Sequence, residues 1–273
     1  PGEQPQNKNV IKLNTNECPY GPSPAVDKVV KDYDYNKLRL YPSFVCSDLK
    51  SALMETYPVN ENEIFLGNGS DEVLALCFMT FFNSKKPVLF PDITYSFYDV
   101  WCSLYQIPYE RPALDDNFRI VKEDYYKENG GVVITNPNAP TSVYMGLEDI
   151  EDIIKHNSDV IVIVDEAYID FGGKSAVELI HKYDNLVIVQ TYSKSRALAG
   201  IRVGYAMANS ELINALEAVK NSFNSYTLNS LSQVIAAASA RDKDYFNDCV
   251  GKIISAREWT VNELSKLGFE TLP

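Results

Sequence analysis

The sequence is poor in the residues that build metal centres and nucleic-acid surfaces. Its 273 residues include only two histidines, and its five cysteines are scattered without a C-x-x-C pair. No zinc cluster and no other metal site is therefore predicted. Basic residues number 25 against 37 acidic ones, which leaves a net charge of −12. Because nucleic-acid grooves and anionic membrane surfaces need clustered lysine and arginine, we expect the protein to bind neither.

Long apolar runs and targeting features are also missing. No run approaches the length that spans a bilayer, and the polar start PGEQPQNKN is unlike a signal peptide. Scattered cysteines in odd number are typical of free thiols in a reducing compartment, which indicates the cytoplasm. With 45% hydrophobic and 23% charged residues, the composition is that of a globular chain long enough for one large domain or slightly more.

Compact runs rich in valine and isoleucine alternate with helical periodicity through most of the chain. In runs such as VIVIV and LVIVQ, apolar residues fill consecutive positions, so both faces of each strand are buried. This pattern predicts an α/β fold in which helices cover both faces of a mostly parallel sheet. Strands are predicted at residues 63–66, 87–90, 131–135, 160–165, 186–190 and 203–207.

Helical periodicity accounts for most of the remaining chain. The first 28 residues are rich in proline, glycine and polar side chains, and are predicted to form an extended arm. Residues 29–243 would form the large domain, and residues 244–273 begin a further unit that the chain does not finish. Helices are predicted at residues 26–33, 46–57, 70–82, 95–105, 147–155, 210–222, 230–240 and from about 244 onward.

Polar residues follow five of the predicted strands, at the point where each strand ends. In an open α/β sheet, ligands bind beyond the carboxyl ends of the strands. Five polar strand ends that meet at one edge therefore predict a binding site there. The five segments are GNGSDE at 67–72, PDITY at 91–95, NPNAPT at 136–141, DEAY at 165–168 and TYSK at 191–194, with Arg202 eight residues after the lysine.

The segment GNGSDE has a physical interpretation of its own. Its glycines let the backbone approach a ligand closely, and Ser70 or Asp71 can begin a helix whose first N–H groups face an anion. An ordinary helix start after a tight turn explains the segment equally well. It is neither a P-loop nor a dinucleotide-binding loop, because no GK[ST] follows and the G-x-G-x-x-G spacing is absent.

Asp165 and Lys194 each come directly after a buried strand. A poorly solvated carboxylate needs a cationic or hydrogen-bonding partner, and a heterocyclic N–H⁺ would suit Asp165. Desolvation and the nearby Arg202 would favour the neutral amine of Lys194, which imine chemistry requires. The alternatives are that Asp165 caps the next helical segment and that Lys194 is an exposed loop lysine.

Taken together, these motifs resemble the fold-type I enzymes that use pyridoxal 5′-phosphate (PLP), the aspartate aminotransferase superfamily. The shared features are the T-x-S-K lysine, the arginine eight residues later, D-E-A-Y and the N-P-N-x-P-T turn. The arm LNTNECPYGPSP resembles that of the histidinol-phosphate aminotransferases, as do GNGSDE, PDITYSFY, RLYP and LAGIRVGYA. The resemblance implies a three-layer αβα large domain and a small C-terminal domain, which is incomplete in a chain ending at Pro273.

The resemblance also implies roles for the residues around the PLP ring. Lys194 would hold PLP as a Schiff base and later shuttle the proton between the substrate α-carbon and the cofactor. Asp165 would keep the pyridine nitrogen protonated, so that the ring stays an electron sink. Tyr168 would hydrogen-bond the ring hydroxyl oxygen, and Tyr95 would stack on the ring face.

Further roles concern the phosphate, the substrate and a second subunit. The PLP phosphate would be bound by Thr191, by Arg202 and by the backbone N–H groups of Ser70 and Asp71. Tyr41 in RLYP would reach the cofactor phosphate of a neighbouring subunit, which implies a homodimer. The arm would supply the substrate-binding residues Tyr20 and Asn16.

Three positions depart from the family pattern. Ala139 stands where an asparagine normally contacts the ring oxygen, so this contact is lost or passes to Asn138. Ser142 replaces a glycine after the P-T pair, and Cys18 replaces an asparagine in the arm.

The leading hypothesis is transfer of an amino group between L-histidinol phosphate and 2-oxoglutarate in histidine biosynthesis. The substrates would thus be a small amino donor and a 2-oxo acid. Related alternatives are a threonine-phosphate decarboxylase and an aromatic aminotransferase. An alternative of another class is a non-catalytic PLP-binding sensor module, although no helix-turn-helix precedes the arm.

Overall fold

The computed structural model describes residues 10–272. Residues 1–9 of the predicted arm lie outside the described residues. The helices are α1 (Pro24–Lys31), α2 (Ser47–Met54), α3 (Ser70–Phe81), α4 (Phe97–Tyr105), α5 (Leu147–His156), α6 (Ser210–Asn221), α7 (Ser230–Arg241) and α8 (Lys243–Lys266). The strands are β1 (Ile64–Gly67), β2 (Val88–Leu89), β3 (Tyr109–Glu110), β4 (Gly131–Thr135), β5 (Val162–Asp165), β6 (Leu186–Thr191) and β7 (Gly204–Ala208).

The seven strands form one mixed sheet in the order β1-β7-β6-β5-β4-β2-β3. Four of the six pairings are parallel, and the two antiparallel ones both involve β7. Strands β1, β2, β4, β5 and β6 therefore end at the same edge, whereas β7 begins there. This arrangement confirms the predicted α/β fold with a mostly parallel sheet.

Side chains of the central strands alternate between two hydrophobic cores, one on each face of the sheet. Ile134, Val164 and Ile188 belong to the core that α2, α5 and α7 cover. Val133, Ile163 and Val187 belong to the core beneath α3, α4 and α6. All six side chains are fully buried, and such burial stabilises a fold by roughly 1.5–3 kcal/mol per side chain. The layers are thus helix, sheet and helix.

One strand was not predicted. β3 has only two residues, and both are exposed at the edge of the sheet, so it carries no apolar run. The arm from residue 10 to the start of α1 contains a single 3-10 turn, Asn14–Asn16. The three-part division into arm, large domain and small domain stays a prediction.

Across residues 10–272, no helix is both long enough and apolar enough to cross a membrane. The same residues contain no group of three or more His, Cys, Asp or Glu side chains arranged to hold a metal ion.

Candidate active site

Asp165 lies at the carboxyl end of β5, flanked by the ends of β4 and β6, and only 3% of it is exposed. Its Oδ2 accepts a hydrogen bond from the Tyr98 hydroxyl at 2.8 Å, and its Oδ1 accepts one from the Ala167 N–H at 3.2 Å. Burial raises the pKa of the Asp165 carboxyl to about 6, although both hydrogen bonds lower it. Within residues 10–272, no lysine, arginine or histidine forms an ion pair with this carboxylate. A cationic ring N–H would therefore match it.

A chain of hydroxyl groups extends from Asp165 across the edge of the sheet. The Tyr98 hydroxyl also lies 2.7 Å from Thr135 Oγ1, which lies 2.9 Å from Thr94 Oγ1. Thr94 donates to Asn138 Oδ1 at 2.8 Å. Motif comparison missed the contribution of Tyr98 and Thr135. A helical stripe could have indicated Tyr98, because it follows Tyr95 by three residues at the start of α4.

Asn138 is buried inside its own turn. Its amide nitrogen donates to Ile93 O at 2.9 Å and to Thr141 Oγ1 at 3.0 Å, which uses both amide hydrogens. A contact with a ring oxygen through this nitrogen would replace one of these bonds, and the role of Asn138 stays a prediction. Ser142, where the family has glycine, has a φ of 64° in the left-handed region. This backbone conformation explains why glycine suits the position.

Lys194 lies in the connection between β6 and β7 and is partly buried. Its Nζ is 5.5 Å from the centre of the Tyr168 ring and donates to the carbonyl oxygen of Thr15 at 2.6 Å. Asn16 donates to the Tyr168 hydroxyl at 2.9 Å. The arm therefore lies against the two predicted ring-binding residues, and Asn16 joins this group.

The second half of the candidate site surrounds the start of α3. Tyr95 donates from its hydroxyl to Asp71 Oδ1 at 2.8 Å, and Arg202 Nη2 lies 3.4 Å from Asp71 Oδ2. Burial, and after it the charge of Asp71, raises the pKa of the Tyr95 hydroxyl. Thr191 ends β6 and accepts a hydrogen bond from the Ser193 N–H at 3.1 Å.

Glycines let these segments approach one another. A Cβ on Gly69, whose φ is +87°, would lie 2.4 Å from Arg202 Nη2, and one on Gly204 would lie 2.3 Å from the Ser70 nitrogen. The first N–H groups of α3 have no acceptor inside the helix. Helix N-termini, arginine guanidinium groups and hydroxyl groups are common phosphate ligands in proteins. All three kinds meet here, in the start of α3, Arg202 and Thr191. The residues present thus fit both the ring and the phosphate of PLP.

Tyr20 and Tyr41 have other contacts. Lys252 Nζ of α8 lies 5.8 Å from the centre of the Tyr20 ring. Tyr41 stacks on Tyr226 with ring centres 4.7 Å apart, and 82% of Tyr41 is exposed. The roles predicted for both residues stay predictions.

Arg196, two residues after Lys194, is buried, although arginine is usually solvated. Arg196 is only 8% exposed, donates to Ser239 O at 2.9 Å and lies 4.2 Å from the centre of the Phe246 ring. The reason is α8, which brings Phe246 over the guanidinium and excludes water from it.

A sheet of this order, with a lysine, a buried carboxylate and the N-terminus of α3 at one edge, defines a transferase of the fold-type I class. The chain belongs to the class I and II aminotransferases, whose family model matches residues 8–273. Enzymes of this family depend on PLP.

Named relatives agree with this assignment. The chain is 54% identical over 269 residues to the histidinol-phosphate aminotransferase of Lactococcus lactis subsp. cremoris strain SK11, covering 98% of this chain and 76% of that protein. It is 50% identical over 272 residues to that of Clostridium botulinum strain 657, covering 100% and 77%. The crystal structure of histidinol-phosphate aminotransferase from Sinorhizobium meliloti in complex with pyridoxal-5′-phosphate has a TM-score of 0.85 to this chain. It is 20% identical and covers 95% of this chain and 72% of that one, a likeness of fold.

Proposed function

We propose that this aminotransferase transfers the amino group of L-histidinol phosphate to 2-oxoglutarate, giving imidazole acetol phosphate and L-glutamate in histidine biosynthesis. The observation that carries the proposal is an identity of 50–54%, over nearly the whole chain, to proteins that bear this name. The arm supports it further, because Thr15 and Asn16 lie against Lys194 and Tyr168.

When bound, PLP supplies an electron sink that stabilises negative charge at the substrate α-carbon. Asp165 would hold the pyridine N–H through its buried carboxylate, and the Tyr98 and Ala167 hydrogen bonds favour the ionised form of that carboxylate. Arg202, Thr191 and the first N–H groups of α3 would bind the phosphate. Since water competes poorly at a buried carboxylate, a cationic ring N–H would be attracted more strongly there than in solvent.

Lys194 would move the proton at the substrate α-carbon, and Tyr168 would orient the ring through its hydroxyl group. The Nζ of Lys194 lies 5.5 Å from the centre of the Tyr168 ring, so both side chains can contact one ligand. The Lys194 amine would exchange its present bond to Thr15 O for a bond to the cofactor. A general acid–base group of this kind accelerates a reaction by roughly 10²–10⁴-fold.

We also propose a homodimer in which Tyr41 reaches the neighbouring site. Support comes from the exposure of Tyr41 and from a group of exposed apolar side chains near it in the chain, at Leu38, Leu40, Phe44 and Val45. A cytoplasmic location is proposed because all five cysteines are free.

The test is the visible absorption of the purified protein with PLP, before and after addition of L-histidinol phosphate. We expect a yellow band that the substrate bleaches and 2-oxoglutarate restores. Lys194→Ala should lack the lysine-bound band, whereas Lys155→Ala, an exposed lysine at the end of α5, should keep it. Bleaching that 2-oxoglutarate does not reverse would contradict 2-oxoglutarate as the amino acceptor, and absence of the band in the presence of PLP would contradict the proposal as a whole.

A further inference from the structure

Glu166 follows Asp165 directly, yet its side chain belongs to a different group of contacts. Only 1% of Glu166 is exposed. Burial raises the pKa of its carboxyl to about 7, and three hydrogen bonds lower it. None of the roles predicted around the ring or the phosphate uses this residue. A buried carboxyl group is costly unless hydrogen bonds satisfy its oxygens.

Three donors converge on the Glu166 carboxylate. Ser175 Oγ donates to Oε2 at 2.6 Å, Gln190 Nε2 donates to Oε2 at 2.8 Å, and the Ala176 N–H donates to Oε1 at 2.7 Å. An ionised carboxylate only accepts hydrogen bonds, so it satisfies all three. A neutral amide in the same place would present its NH₂ group to at least one of these donors.

These bonds close a loop. Glu166 begins the loop at the end of β5, while Ser175 and Ala176 return the chain to its carboxylate. The loop, residues 167–174, carries Tyr168, whose ring centre lies 5.5 Å from Lys194 Nζ. It also carries Asp170, which accepts a hydrogen bond from Ser195 Oγ. The loop therefore contacts Lys194 and the residue after it.

Gln190, the donor that lies outside the loop, connects the loop to the strand that leads to Lys194. Gln190 lies in β6, and its Oε1 accepts hydrogen bonds from the hydroxyl groups of Tyr57 at 2.6 Å and Tyr205 at 2.8 Å. Tyr205 lies in β7 and Tyr57 follows α2. Gln190 is thus held from both sides and can fix the position of Glu166.

We propose that Glu166 is a positioning residue of this aminotransferase. Its carboxylate fixes the 167–174 loop to β6, so that Tyr168 lies against Lys194 and Asp170 holds the adjacent Ser195 before PLP binds. Glu166 acts through these residues and does not touch the cofactor.

The test compares Glu166→Gln with the wild-type chain in the absence of PLP, by hydrogen exchange of the loop amides. We expect exchange in residues 167–174 to become at least tenfold faster, and the Kd for PLP to rise at least tenfold. Asn129→Ala is the matched control, because it removes a buried side chain that bonds Gly131 N at 2.8 Å and Asn157 at 2.6 Å at the opposite end of the sheet.

The control should lower the urea midpoint without changing loop exchange or PLP affinity. Wild-type exchange in the loop of Glu166→Gln would overturn the proposal, as would equal loop acceleration in Asn129→Ala. If Glu166→Gln fails to fold, Ser175→Ala removes one donor from the loop side and leaves the carboxylate in place. It should accelerate loop exchange several-fold, and unchanged exchange would again contradict the proposal.

Discussion

The hydroxyl of Tyr98 donates a 2.8 Å hydrogen bond to Asp165, and both side chains are buried. Tyr98 comes from α4 and Asp165 from β5, 67 residues apart in the chain. The same hydroxyl lies 2.7 Å from Thr135. The tyrosine thus connects the carboxylate that would bind the pyridine nitrogen to the end of the neighbouring strand.

Tyr98→Phe should therefore lower the free energy of unfolding by about 1–3 kcal/mol, because the buried Asp165 Oδ2 loses the hydrogen bond from Tyr98. It should also raise the pKa of Asp165 further, since the lost hydrogen bond lowers that pKa. Urea unfolding measures the change in stability. The pH at which PLP binding weakens on the acid side measures the change in the pKa of Asp165. Tyr125→Phe is the control, because the buried Tyr125 hydroxyl has no hydrogen-bond partner within residues 10–272. Equal destabilisation in both variants would contradict this account.

Asp165→Asn should make the PLP-free chain more stable at high pH. The pKa of Asp165 in the folded state is about 6, above the ordinary value of 3.8. Between these two values the native state binds more protons than the unfolded state. The wild-type chain therefore loses stability as the pH rises from 3.8 through 6. The stability of the variant relative to wild type should therefore be greater at pH 8 than at pH 5, by about 1 kcal/mol. Urea unfolding at the two pH values checks this. PLP should bind the variant more weakly, and a pH-independent difference would refute the linkage.

Gly204→Ala should disrupt the half of the candidate site that is predicted to bind phosphate. Its Cβ would lie 2.3 Å from the Ser70 nitrogen, which is backbone and cannot rotate away. We expect a loss of about 1–3 kcal/mol of stability and weaker PLP binding. Gly251→Ala is the control, because nothing lies within 4 Å of its Cβ, and it should stabilise α8 by up to about 1 kcal/mol. Thermal unfolding and PLP titration of both variants measure the two effects, and wild-type stability and PLP affinity in Gly204→Ala would contradict the prediction.

Arg196→Lys should cost about 1–2 kcal/mol, because lysine cannot reproduce the planar contact with Phe246 and the hydrogen bond to Ser239 O together. Arg39→Lys, at an exposed position, should change stability by less than about 0.5 kcal/mol. Urea unfolding of both variants is the measurement. An unchanged free energy of unfolding in Arg196→Lys would show that the buried guanidinium contributes little to stability.

Local sequence patterns predicted six of the seven strands and the sheet edge that carries the candidate site, because these features depend on neighbouring residues. Gly131–Thr135 was predicted with the observed bounds, since a buried strand is a continuous apolar run. The Tyr98–Asp165 bond, the burial of Arg196 under Phe246 and the closing of a loop by Glu166 depend on contacts between distant segments. No periodicity records such contacts, so they required the structure.

The direction of β7 has a consequence for how this site can vary. Because β7 returns antiparallel to β6, Thr191 pairs with Gly204, and Lys194 and Arg202 lie within one hairpin connection. The length of this connection sets the separation between the Lys194 amine and the Arg202 guanidinium. An insertion or deletion between residues 192 and 203 would misplace one group relative to the other. The more distant connection between β2 and β4 can change length without altering that separation.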